Sequence, residues 1–426
     1  MSTTAQTTPA STRIVASLGC VQAIVRSAAV ASPTELKVAI VSDYYYPQLG
    51  GITEHVHGQA TELTRRGHEV TVLTPGLVVT PTTVDGADMP ERTFDLVNVG
   101  HAFPFYVNGS ETLVTLGPGL PFALGRELRR RSFDVVHVHN PLGVMLPITA
   151  ILRSTAPVTV GTFHSVVPEG YRLLRTTNRT FERVFRRLDA SIAVSAAVVD
   201  SLSRYFPARR FTTIPNGIDT DFFSPAAESL PELHDRRTIV FVGRFDPRNG
   251  VKHMIGAFAA LRRSRGDVQL VVVGDGPLRP LVQRMVPRAV RHDVVFAGRV
   301  NRLRPRYLAS AEILCTPCSL ASFGMVVLEG MSAGLPVVAS RLPGFELVMR
   351  DGVDGLMVNR ADDEEGFAAA LDQLLTDPAM GRRMGAAGRR RALSTFSWRV
   401  VVDALEALYE ELLGCERRPR LGSKAA

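Results

Sequence analysis

The sequence predicts an α/β protein of two doubly wound domains facing a cleft, and three observations carry that prediction. Short apolar runs recur through both halves, each followed by a turn and a helical stretch. The 426 residues exceed what one ordinary hydrophobic core organises and suit two domains of this kind. A mixed, Pro-punctuated stretch, 211–237, separates the two series of runs.

In the first half, Lys37 to Val41 is apolar without alternation, the pattern of a strand buried on both faces of a parallel sheet. A Gly50-Gly51 turn follows, and a helical stretch then stops at Arg65-Arg66-Gly67, where glycine suits the end of a helix. Glu69 to Leu73 is the next strand, and Asp134 to Val138, Val158 to Thr162 and Ala190 to Val194 continue the series. The second half restarts it with Thr238 to Val242, Gln269 to Val273, Val294 to Ala297, Ile313 to Thr316 and Val337 to Ala339. These runs place a first domain at 36–210 and a second at 238–395, with a last segment at 396–414 and a basic tail at 415–426. Doubly wound sheets bind ligands at the C-terminal ends of their strands, so the cleft between the domains is the expected site.

Composition narrows the function. Hydrophobic residues at 45% and charged residues at 21% are ordinary for a soluble globular chain. No window approaches the roughly 18 to 20 uncharged apolar residues of a membrane span, which argues against a transmembrane enzyme. Cys20, Cys315, Cys318 and Cys415 are too few for a disulfide framework. Cys315-Thr-Pro-Cys318 has the spacing of a redox or zinc pair, but lacks a second pair and a thioredoxin context. The first 35 residues read as a disordered tail; a short signal-like stretch, Ile14 to Val25, is the alternative. The net charge is +8, and between Arg126 and Arg187 eleven arginines meet only four acidic residues. That excess either attracts anionic partners, such as phosphate-bearing substrates or an anionic membrane surface, or forms a solvated helix face. Nucleic acid is not expected, since no recognition motif or stacking aromatics accompany the charge.

Three segments carry candidate chemistry. In Pro47-Gln-Leu-Gly-Gly-Ile-Thr53, paired glycines before a helix let backbone N–H groups approach a phosphate, which the helix dipole favours. The segment is not G-x-G-x-x-G, which argues against a dehydrogenase. In Phe241-Val-Gly-Arg-Phe-Asp-Pro-Arg-Asn-Gly250, Arg244 follows a buried strand and can pair bidentately with a diphosphate. In Ala321 to Gly334, Ser322 reads as the N-cap of a helix with Gly324 in its first turn. Glu329, two turns on, needs a partner: ribose hydroxyls or a buried salt bridge.

Together these segments resemble the GT-B-fold, retaining glycosyltransferases of family 4 from about Lys37 to Leu413. The matching pieces include Val135-Val-His-Val-His139, Thr162-Phe-His164, Ile192-Ala-Val-Ser195, Ile214-Pro-Asn-Gly-Ile-Asp219, Val273-Gly-Asp-Gly-Pro277 and Phe323 to Gly334. Pro104-Phe-Tyr-Val-Asn-Gly-Ser110, Gly117-Pro118 and Phe396-Ser-Trp398 are similar to phosphatidylinositol α-mannosyltransferases.

The resemblance implies a fold of two Rossmann-like domains, with the helix after Phe396 returning to the first. It implies hexose transfer, of mannose or glucose, from a nucleoside diphosphate sugar to a glycan or glycolipid acceptor. No cofactor and no metal are expected, and the location implied is cytoplasmic, peripheral on the inner face of the plasma membrane. Gly50 and Gly51 would meet the donor phosphates. Arg244, with Arg248 and Asn249 beside it, would face the leaving diphosphate. Ser322, Phe323, Gly324 and Met325 would contact phosphates and sugar, and Glu329 would hold the ribose. His164 would lie near the reacting centre, with Asn108 and Ser110 on the acceptor side.

Two positions depart from the family. Asn249 stands where a lysine is usual, and Ala321 stands at the first acid of the Glu-x7-Glu pattern, which leaves the donor sugar open. These departures make a non-catalytic nucleotide-sugar-binding protein one alternative, and a sugar-nucleotide epimerase of the same two-domain architecture is another. Asp219-Thr-Asp221 imitates a metal-binding DxD but sits in the connecting region, and His137 with His139 reads as a buried hydrogen-bonded pair. Asn108-Gly-Ser110 and Asn178-Arg-Thr180 are glycosylation sequons by spelling only.

Overall fold

The computed structural model describes residues 35–76, 89–107, 110–117, 119–143 and 145–417. The first half contributes β1 (Lys37–Val41), β2 (Glu69–Gly76), β3 (Asp95–Val107), β4 (Ser110–Leu116), β5 (Val135–His139), β6 (Val158–Phe163), β7 (Ala190–Ala193) and β8 (Thr212–Thr213). They form one sheet in the order β4-β3-β2-β1-β5-β6-β7-β8, parallel except for the β3–β4 hairpin. The second half contributes β9 (Arg237–Val242), β10 (Val268–Val273), β11 (Val294–Gly298), β12 (Ile313–Thr316), β13 (Val337–Ser340) and β14 (Gly355–Val358). These form an all-parallel sheet in the order β11-β10-β9-β12-β13-β14.

Both sheets are doubly wound. The strand order reverses at β1 in the first and at β9 in the second, so each domain has its crevice beside its first strand. Helices cover both faces, and this is why the strands are unbroken Val and Ile runs: β10 is buried along its whole length. The ten strands expected from the sequence are present, with ends shifted by up to three residues. β3, β4, β8 and β14 were not expected. Pro104 and Gly100 interrupt the hydrophobic pattern of β3, β8 has two residues, and β14 has four.

The helix Trp398–Arg417 returns to the first domain and completes its core. Val401, Val402, Leu405 and Tyr409 pack in one cluster with Val38 and Ile40 of β1 and with Val56 and Leu63 of the helix Gly51–Arg65. Polar contacts fix the docking angle: Arg66 donates to Asp403 and Glu406, and His68 pairs with Glu406 at 2.8 Å. The Trp398 indole fits only because Gly58 and Gly217 lack side chains, a Cβ there falling 2.1 and 2.5 Å from it.

Candidate active site in the interdomain cleft

A cavity of about 790 Å³ lies where the C-terminal ends of the two sheets face each other. Eleven site residues expected from the sequence line it: Gly50, Gly51, His164, Arg244, Arg248 and Asn249, then Ser322 to Met325 and Glu329. Of the two acceptor-side residues expected, Asn108 lies outside the described residues. Ser110 opens β4, opposite Val107 in the backbone ladder.

The first wall is a helix N-terminus. Gly50 precedes the helix Gly51–Arg65, and no side chain caps it. A Cβ on Gly50 would meet nothing within 4 Å among the described residues, and one on Gly51 would lie 3.4 Å from Met325 Cγ. The unbonded N–H groups of the first turn therefore stay open to the cavity, where the dipole favours an anion.

The second wall is the loop after β9. The Asp246 carboxylate accepts from the Arg248 and Asn249 backbone nitrogens, and both guanidinium groups, of Arg244 and Arg248, lie 3.8 Å from it. The Asn249 amide donates to the Arg244 carbonyl at 3.0 Å and to Asp246 at 3.1 Å. Asn249 thus braces the loop that presents two arginines. Gly250 lets the loop lie against the exit of β12: its φ is +75°, and a Cβ would fall 1.8 Å from the Pro317 carbonyl.

The third wall corrects an expectation. Ser322 is not a helix cap: the helix is Met325–Ser332, its N-cap is Gly324, and no side chain caps it. Gly324 has φ +107°, and Phe345 occupies the place its Cβ would take, so the chain turns sharply before the helix. Ser322 instead bridges the domains. Its hydroxyl accepts from the Val166 nitrogen at 3.0 Å, and its carbonyl accepts from Ser195 Oγ at 2.6 Å. The Phe323 ring packs inward, 5.9 Å from Phe396, leaving backbone and Met325 at the cavity.

Glu329 is 2% exposed, and Arg304 Nε lies 3.4 Å from its Oε2. Arg304 in turn donates to Glu54 Oε1 at 2.6 Å, across the cleft. Glu329 thus belongs to a buried ion pair, as one of its two readings expected, and also lines the cavity. Burial pushes its carboxyl upward, with Arg304 opposing and Glu54 adding to the rise. Glu54 and Arg304 were missed in the sequence because partners 250 positions apart leave no local pattern.

His164 is 6% exposed, and its Nε2 lies 2.9 Å from His139 Nδ1. Burial pushes its pKa down to about 3, a hydrogen bond with Asn216 working the other way. His137 and His139 are buried as expected, but they stack 4.5 Å apart and hydrogen-bond to other groups. His137 meets Thr162 and Tyr409, and His139 meets His164. His55, His139 and His164 bring ring nitrogens within 4.8 Å of one another, which is the one metal-compatible group among the described residues. Asp219 closes a turn by accepting from the Asp221 and Phe222 nitrogens. Cys315 and Cys318 are buried free thiols, and burial pushes Cys318 up to about 11.

The model described as Glycosyltransferase Family 4 matches residues 49–222, and the one described as Glycosyl transferases group 1 matches residues 236–377. A phosphatidyl-myo-inositol mannosyltransferase of Mycobacterium leprae is 31% identical over 88% of this chain and 96% of its own. The chain is a family 4 glycosyltransferase. As such it is a hexosyltransferase that uses a nucleotide sugar. The transferase is also similar to a glycogen synthase of Mycobacterium tuberculosis, at 28% identity over 90% of this chain and 97% of that one. Its fold matches a sucrose-phosphate synthase of Thermosynechococcus elongatus, with a TM-score of 0.72 at 22% identity, covering 89% of this chain and all of that one. It also matches Anabaena HepE, solved with UDP and glucose, with a TM-score of 0.69 at 16% identity over 89% of this chain and 99% of that one. These are GT-B structures, and the transferase shares their two-domain architecture.

Proposed function

We propose that the transferase is a retaining, metal-independent enzyme that moves mannose or glucose from an NDP-sugar to a hydroxyl of a phosphatidylinositol-type lipid. The observation that carries this is one cavity holding two open helix N-termini, Arg244, Arg248 and the buried Glu329. In this reading the diphosphate lies between the Gly50-Gly51 turn and the two arginines, and Glu329 holds the ribose hydroxyls. The bond between sugar C1 and the diphosphate oxygen breaks, and Arg244 stabilises the charge left on that oxygen. The acceptor hydroxyl attacks C1 from the same face, its proton passes to the departing diphosphate, and the new glycosidic bond forms. In the same reading the neutral His164 borders the sugar, and the acceptor is assigned to Ser110 and to Asn108, which lies outside the described residues.

Supporting a lipid acceptor, curated relatives at about 30% identity are named phosphatidyl-myo-inositol mannosyltransferases. Supporting an anionic membrane surface, exposed Phe122 and Leu173 stand on helices rich in arginine, Leu120–Arg131 and Arg172–Phe185. No helix among the described residues is long and apolar enough to cross a membrane. The inner face of the plasma membrane is the location this reading favours. Ala321 leaves the choice between mannose and glucose to experiment. GDP-mannose and UDP-glucose, each with phosphatidylinositol vesicles, should be assayed for nucleoside diphosphate release and glycolipid formation. Consumption of neither donor at millimolar concentration would sink the proposal.

A further inference from the structure

Glu54, Arg304 and Glu329 form a chain of buried charges that crosses the cleft. Glu54 stands in the first turn of the helix Gly51–Arg65, in the first domain, while Arg304 and Glu329 belong to the second. Their side chains are 17%, 13% and 2% exposed, and all three line the cavity. Their contacts are unequal. Arg304 Nη2 donates to Glu54 Oε1 at 2.6 Å, whereas Arg304 Nε and Glu329 Oε2 stand 3.4 Å apart, and neither of these two atoms has a hydrogen-bond partner among the described residues. The guanidinium also lies over the Phe223 ring, 5.2 Å from its centroid, which limits where it can go.

A buried carboxylate oxygen without a donor is costly, and a guanidinium one side-chain rotation away would satisfy it. In this structure the guanidinium gives its short hydrogen bond to Glu54 and holds Glu329 only at ion-pair distance. We infer that Arg304 is a positioning residue: Glu54 draws it off Glu329 when the domains are closed, leaving the Glu329 carboxylate free to accept from the donor's ribose hydroxyls. When the domains part, Glu54 leaves with the first domain, and Arg304 turns back to pair with Glu329. Ribose binding and domain closure then favour each other, because the same contact serves both. This rests on the ribose role proposed above for Glu329.

The test uses the full chain and four ligands: UDP, GDP and their 2′,3′-dideoxy counterparts, titrated by calorimetry. For the wild type, the ribose diphosphate that binds should do so more tightly than its dideoxy form. Glu54→Gln should weaken the ribose form about tenfold and leave the dideoxy form unchanged, as should Glu329→Gln. If Glu54→Gln does not fold, Glu54→Asp, which shortens the reach to Arg304, takes its place. Equal loss for both forms, or no loss for either, at position 54 overturns the coupling. If Glu329→Gln separates the two forms while the position 54 variant does not, the ribose role stands and the coupling alone falls. If Glu329→Gln does not separate them, the ribose role fails and the coupling fails with it.

Discussion

The ring nitrogens His164 Nε2 and His139 Nδ1 lie 2.9 Å apart inside the first domain, so one imidazole donates and the other accepts. That arrangement needs at least one neutral ring, and burial holds both pKa values below the ordinary histidine value. Between pH 6.5 and about 3 the unfolded chain protonates His137 and His164 while the native protein does not, so stability falls as pH falls through this window. By pH 5 each should cost about 2 kcal/mol relative to pH 7. Urea unfolding at pH 7, 6 and 5 checks it. His164→Asn should flatten the slope by about one proton, and an unchanged slope would contradict the assignment.

Ala321 lies in sequence between Leu320 and Ser322, which line the cavity, and its carbonyl lies 2.4 Å from where a Gly344 Cβ would be. Ala321→Glu should change which NDP-sugar protects the protein most against heat, because a new carboxylate discriminates among sugar hydroxyls. Melting curves with a donor panel read the change. An identical ranking of donors would show that position 321 does not select the sugar.

Gly58 faces the Trp398 indole, with a Cβ position 2.1 Å from Nε1. Gly58→Ala should therefore lower stability by about 2 kcal/mol, although alanine is the better helix former. Chemical denaturation measures it. A neutral or stabilising result would mean that the returning helix is not held at this point.

The arginine-rich face predicts salt-sensitive adsorption to anionic bilayers, since exposed charges are screened over about 8 Å at physiological ionic strength. In flotation, vesicles containing anionic lipid should carry the protein at low salt and release it at high salt. Phe122→Ser should weaken the capture. Equal capture by neutral vesicles would contradict the electrostatic account.

The doubly wound architecture was legible because fully buried strands write themselves as short Val and Ile runs, as in Val268–Val273. The β3–β4 hairpin was not legible, since Pro104 and Gly100 break any periodicity there. At the site, Gly50-Gly51 and Arg244 announced themselves by their place after buried strands. Ser322 misled because a serine ahead of an apolar helix reads as a cap, whereas the left-handed Gly324 begins the helix and frees the hydroxyl for the opposite domain. Glu54 and Arg304 could not be found from spacing, because they stand on different domains and meet only across the cleft, 250 positions apart.

The most direct test of the donor site is transfer by wild type and Arg244→Ala, measured as nucleoside diphosphate release at saturating donor and acceptor. The Arg244 side chain is 41% exposed, so the variant should fold with stability within about 0.5 kcal/mol of wild type. Its kcat should fall by at least about 100-fold, the loss expected when one charge-stabilising group is removed from a transition state. A folded Arg244→Ala variant that turns over at the wild-type rate would contradict the account.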